Sequence, residues 1–173
     1  MMGAWALGFG LLGCLLVLVP WSRWFPAKGD GPHWSSRLPG VGVLLAWVPF
    51  LYLVQRFVVH DASIAAVHAT GGAGMPLLYR VAATWSARTG PLLLWSAFTV
   101  TLAWWWRAPF EDESEPVAQR RIALLGGFGA LLMLLSMHLR PFAPTAPGAP
   151  PGELSPLLQT DLMVVHPPLV FLA

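Results

Sequence analysis

Four long apolar runs constrain this chain more than any other feature: residues 3–20, 38–59, 90–106 and 122–139. A helix crosses the hydrocarbon of a bilayer with about 17 to 25 mostly apolar residues, and each run has that length. Ten basic and eight acidic residues are all the formal charge in 173 positions, 56% of the chain is apolar, and the mean hydropathy is +0.62. Soluble domains carry about 25% charged residues. The expected fold is therefore all-α, a polytopic integral membrane helical bundle. It has four full spans plus the start of a fifth at 162–173, within which the sequence stops.

The opening run has no lysine or arginine ahead of it, as a secretory signal would, and it continues beyond the cysteine of "LLGC". It reads as a retained span. Cys14 is the only cysteine, which excludes an intramolecular disulfide, a CxxC redox pair and a zinc cluster. Ten tryptophans suit aromatic belts at the two membrane boundaries. No basic stripe marks a nucleic-acid surface, and no P-loop, HExxH or Ser–His–Asp signature appears.

Orientation follows the basic residues of the loops. Arg23, Lys28, Arg37, Arg107, Arg120 and Arg121 follow spans one and three. Arg80, Arg88 and Arg140 lie in the other two loops, with Arg56 near the end of span two. This mild bias places the N-terminus outside, and the acidic "EDESE" at 111–115 in an inner loop. The first outer loop, 60–89, has a half loosened by Gly71, Gly72 and Gly74. A proline-started half, 76–85, follows, in which Leu77, Leu78, Val81 and Trp85 recur at helical spacing. That half reads as a short amphipathic helix on the membrane surface or under another loop. The second outer loop, 140–161, holds six prolines and reads as an extended, poorly hydrogen-bonded connector.

Among the histidines, His166 is the most constrained, because Pro167 and Pro168 follow it. Proline disfavours helical geometry in the preceding residue but is tolerated in a first helical turn. His166 is thus expected at the mouth of the fifth span, held rigidly at the outer interface. That placement suits a metal or haem ligand, and it equally suits an ordinary interfacial histidine in a proline-rich turn. His138 beside Met137 and the His60–Asp61 pair read as interfacial or helix-ending groups, and His68 and His33 have nothing specific around them.

Two stretches carry a family resemblance. "FVVHDASIAAVHATGGAGMPLLYRVAATWSARTGPLLLW" (57–95) and "RPFAPTAPGAPPGELSPLLQTDLMVVHPPLVFLA" (140–173) resemble the outer loops of the CcmF family of cytochrome c-type biogenesis proteins. The likeness is most specific in "YRVAATW" and in "LSPLLQ" followed by "HPPL". The resemblance implies a haem lyase of the bacterial inner membrane, active only as the complete protein or complex. Such a protein receives haem from the chaperone CcmE, works with a CcmH-type thiol subunit, and promotes thioether attachment to the CxxCH motif of apocytochrome c.

The resemblance also implies that His166 is an outer axial ligand of haem b, supported by Pro167 and Pro168. Tyr79, Arg80, Trp85 and Trp95 are then wall or partner-contact residues. A structural b-haem, a tryptophan-rich segment and the second outer histidine are implied beyond residue 173. Ser86, Thr89, Pro91 and Leu162 depart from the family pattern. Two rival readings are a haem-free channel or transporter subunit, which needs polar residues along its spans, and an assembly scaffold that only docks partners.

Overall fold

The computed structural model describes residues 3–19, 37–72, 74–107 and 114–172. Arg23, Lys28 and His33, and residues 111–113 of the acidic cluster, lie outside them. Among the described residues the chain forms seven α-helices and no β-strand. They are α1 (Ala4–Leu18), α2 (Leu38–Val58), α3 (Ala65–Thr70), α4 (Leu77–Ser86), α5 (Gly90–Trp105), α6 (Glu115–His138) and α7 (Asp161–Leu172).

Three of the apolar helices start on a proline in the first turn, Pro39, Pro91 and Pro116. There the missing N–H costs nothing, because first-turn donors have no intrahelical partner. Pro116 also explains why α6 begins several residues before the apolar run at 122.

The four apolar helices form a ring: α1 packs on α2 and α6, and α5 packs on the same two from the other side. Neighbours run antiparallel. Trp5 meets Tyr52 while Gly13 meets Gly42, and Trp47 of α2 meets Phe98 of α5. Their core is built from Cys14, Ala46, Leu53, Phe57, Leu93, Ala97, Val100 and Met133, all fully buried. Small residues let backbones approach. A Cβ on Gly13 would sit 2.5 Å from the Ala46 nitrogen, and one on Gly42 would sit 2.8 Å from the Gly13 carbonyl oxygen. Close glycine-lined crossings are the usual packing device where lipid removes the hydrophobic drive between helices.

The outside of the ring is as apolar as its inside. Leu44 is 71% exposed and Leu124 74%, with Leu51, Leu131 and Trp105 also well exposed. By length and composition, Leu38–Val58 and Pro116–His138 are able to cross a membrane, while α1 and α5, at 15 and 16 residues, are shorter. The polar groups inside the ring are satisfied locally: Ser96 donates to the Gly129 carbonyl (2.7 Å), Ser136 to Leu132 (2.8 Å) and the Trp47 indole to Thr101 (3.1 Å). Among the described residues these groups build no polar pathway of the kind a channel needs.

The start of α1, the end of α2, the start of α5 and the end of α6 share one end of the ring, and both long loops pack there. Two expectations are corrected at this end. Residues 65–70, expected to be loosened by glycine, form α3. The proline-rich 140–160 segment is not poorly hydrogen-bonded; its prolines leave it without an α-helix, with only a 3-10 turn at Pro156–Leu158, and other groups of it pair with the other loop instead. The Ala65 amide donates to Ala143 (2.9 Å), Thr145 to Ser63 (2.8 Å) and Gly152 to His68 (3.0 Å), and the Thr145 hydroxyl donates to Ala62 (2.7 Å).

His68, expected to have nothing specific around it, closes this clasp with a ring nitrogen 3.0 Å from the Ala149 carbonyl. Gly152 fits because it has no side chain, since a Cβ there would collide with the Ala69 carbonyl. Gly152→Val is therefore expected to open the clasp and make limited proteolysis within 140–160 several-fold faster, while the bundle's melting stays close to wild type.

Candidate site at the loop end

The helix expected from "MPLLYRVAATW" is α4, and it lies across the loop end against α2, α5 and α7. Its buried side is Ala82, Ala83 and Thr84, whereas Leu77 and Leu78 face outward. The periodicity was right about a helix, but the smaller side chains take the inner face because α4 sits close on the ends of α2 and α5.

Arg80 latches α4 to α2: its Nε donates to the Met75 carbonyl (3.0 Å) and a terminal nitrogen to Val58 (3.1 Å). Trp85 stacks on Phe50 of α2 at 5.9 Å and 16°. Its indole N–H and the Thr84 hydroxyl are buried without an acceptor among the described residues. Tyr79 is half-buried on the same helix. Trp95 belongs to the seam between α5 and α6, where its ring meets Phe128 at 6.3 Å. Arg80 and Trp85 thus act first as fasteners of α4, and Trp95 as part of the bundle surface.

His166 lies on α7, in contact with α4 through its helix. One expectation is corrected: the helix opens at Asp161, so His166, Pro167 and Pro168 lie within it and not at its start. An aspartate favours a helix start, and the apolar residues after it extend the helix ahead of the histidine. Pro167 and Pro168 then leave the Met163 and Val164 carbonyls without intrahelical donors. The His166 imidazole is exposed and has no hydrogen-bond partner among the described residues. Leu162, Leu169 and Val170, at the i−4, i+3 and i+4 positions, share its face, and all three are exposed.

The His60–Asp61 pair resolves into a helix end. Asp61 turns away from His60 to accept from the Ser63 hydroxyl (2.5 Å) and from Arg56 (3.2 Å), and Arg56 lies over the Tyr52 ring at 4.6 Å. His60 takes a left-handed φ of 53°, and its Nδ1 is buried without a partner among the described residues. The Ser63 hydroxyl, aided by Arg56, holds the Asp61 carboxyl below its ordinary value. A lowered pKa means the charged form is favoured by folding, so the contribution is present above the unfolded value of about 4. It fades as pH falls through the folded value. Asp61→Asn is expected to cost less than about 1 kcal/mol at neutral pH, with the difference from wild type closing below about pH 4.

Sequence reasoning did not foresee the Arg56–Asp61–Ser63 turn, although "DAS" directly after a helix is a recognisable turn signal. Nor did it foresee the clasp between the loops, which joins residues more than seventy positions apart.

The all-helical fold, its two helices long and apolar enough to cross a membrane and its outward apolar surface are consistent with a helical membrane protein whose elaborated loops gather at one end. Among known proteins the chain is similar to the cytochrome c-type biogenesis protein CcmF of Escherichia coli, at 34% identity over 93% of this chain and 26% of that protein. It is also similar to the cytochrome c-type biogenesis proteins NrfE of Haemophilus influenzae (30% identity, 95% of this chain, 27% of that protein) and CycK of Rhizobium meliloti (29%, 75% and 19%). No family model and no solved structure matches it. The chain belongs to the CcmF family of cytochrome c-type biogenesis proteins. It spans about a quarter of the length of the curated relatives it matches.

Proposed function

We propose that this chain is the amino-terminal membrane part of a protein of cytochrome c-type biogenesis, and that it presents His166 to haem at the outer face of the bacterial inner membrane. The observation that carries the reading is the exposed imidazole, without a hydrogen-bond partner among the described residues, on a helix docked at the loop end and flanked by exposed Leu162, Leu169 and Val170. An imidazole is a common axial ligand of haem iron, and an apolar ledge beside it suits a porphyrin face. Family membership supports the same conclusion.

In this reading α1, α2, α5 and α6 all cross the membrane with the loop end outside, and α7 starts a fifth crossing. The equal standing of α1 and α5 in the ring supports four crossings, since removing either would bare an apolar seam. Haem supplies the iron that takes the imidazole and the vinyl groups that take the cysteine thiols of apocytochrome c. This chain's own part is to hold and orient. α4, fastened by Arg80 and by Trp85 on Phe50, fixes the platform on which α7 rests. Exposed Leu77 and Leu78 on α4 offer an apolar surface to a haem chaperone of the CcmE kind, to a CcmH-type subunit or to the apocytochrome. Haem-lyase activity belongs to the complete protein.

The test is loss and restoration of the gene in its own organism, followed by haem staining of c-type cytochromes. Their disappearance on deletion and return on complementation are expected. A full set of c-type cytochromes in the deletion strain would contradict the reading.

A further inference from the structure

A cleft of about 520 Å3 opens at the loop end, between the start of α1, the end of α6 and the clasped loops. Leu7, Ile64, Met137 and Phe142 give it apolar walls, and Ser63 and Arg140 bring polar groups to it. The charges nearby are unequal in what they already hold. Asp61 is taken up by Arg56 and Ser63. Arg140 is exposed, and its guanidinium has no ion pair or hydrogen bond among the described residues. Its backbone takes a left-handed φ of 50° directly after α6, a conformation that non-glycine residues keep only where the surroundings demand it.

The level of the cleft matters as much as its lining. It lies where two apolar helices end and the polar loops begin, beside Trp5, which is 51% exposed in the manner of an interfacial tryptophan. Lipid headgroups lie at that level. We propose that this cleft binds one anionic phospholipid, an acyl chain lying against Leu7, Ile64, Met137 and Phe142 and the headgroup phosphate paired with Arg140. A free phosphate would leave the apolar walls unused, and a zwitterionic lipid such as phosphatidylcholine would bring its own ammonium cation beside the Arg140 guanidinium, which an anionic headgroup does not. The proposal rests on the reading in which α1 and α6 cross the membrane, together with the cleft and its charge, and not on any role in haem handling.

The complete native protein is reconstituted into nanodiscs of phosphatidylcholine containing a minority of phosphatidylglycerol, and the lipid it retains on release is counted by native mass spectrometry. Wild type is expected to keep one phosphatidylglycerol in preference to phosphatidylcholine. Arg140→Gln is expected to lower that preference about fivefold, and Arg140→Lys to keep most of it. Excess inorganic phosphate should leave retention unchanged, since it cannot replace the acyl chain; displacement by phosphate alone would make this an ion site and overturn the proposal. Equal preference in wild type and in a normally folded Arg140→Gln would overturn it too. Should Arg140→Gln fail to fold, wild type decides by itself, because retention without headgroup preference contradicts the pairing. A protein segment found in the cleft in place of lipid would also contradict it.

Discussion

Replacing His166 by alanine in the complete protein is expected to lower the yield of haem-stained c-type cytochrome at least about tenfold, the scale on which losing even a supporting group weakens a metal site. Membrane levels of the protein should not change. The imidazole is exposed and no described residue hydrogen-bonds to it, so its removal costs the fold no hydrogen bond and opens no buried cavity. A protein that merely docks partners through its loops would tolerate the change. A separate effect is expected of Pro167→Ala: restoring an N–H to the helix should leave iron ligation possible and produce a milder loss. Quantified haem stain against immunodetected protein separates the two variants, and an unchanged yield in His166→Ala would remove the proposed ligand.

The second large effect lies where α1 packs on α2. Gly13→Leu is expected to destabilise the bundle by about 3 kcal/mol, the upper range for overpacking a filled contact. Even a methyl group at Gly13 meets the backbone of Gly42, Leu45 and Ala46. Backbone cannot swing aside as a long side chain can, so α1 and α2 must separate along their whole seam. Gly8, on the same helix, supplies the control. Nothing lies within 4 Å of a Cβ there, and Gly8→Ala is expected to be neutral or to stabilise by up to about 1 kcal/mol through helix propensity. Melting in detergent followed by circular dichroism distinguishes them. Equal loss in both variants would mean that α1 and α2 do not cross at their glycines.

Much of this fold was legible in the sequence because lipid-scale hydrophobicity is written as length. The apolar runs became α1, α2, α5 and α6, with ends displaced by at most two residues except at the start of α6, which Pro116 carries back to Glu115. Pro76 and the spacing of Leu77, Leu78, Val81 and Trp85 announced α4. Its buried face was not legible, because the choice between leucines and alanines was made by how closely α2 and α5 approach. The loops were misread for a related reason. Glycines at 71, 72 and 74 and the prolines after Arg140 speak only of local freedom, whereas the clasp is formed by long-range backbone pairs such as Ala65 with Ala143. Proline arithmetic likewise placed the start of α7 at His166, when Asp161 and the apolar residues after it carry the helix further back.

The candidate site divides the same way. His166 stood out from its two prolines, and the structure leaves its side chain available on α7. Arg80 and Trp85 were named from a motif, and the structure gives them fastening work that no motif spells out: Arg80 on the Val58 and Met75 carbonyls, Trp85 on Phe50. The cleft beside Arg140 had no sequence signature, since its walls come from three stretches far apart in the chain, 4–7, 63–64 and 137–144.

The most direct test of the central claim is the haem content of the purified complete protein, measured as pyridine haemochrome beside its visible spectrum, with and without His166. The expected result is that His166→Gly loses haem from the outer site and that added imidazole, filling the vacated position, restores both content and spectrum. The same haem content and an unchanged spectrum in His166→Gly would show that this histidine does not hold the iron.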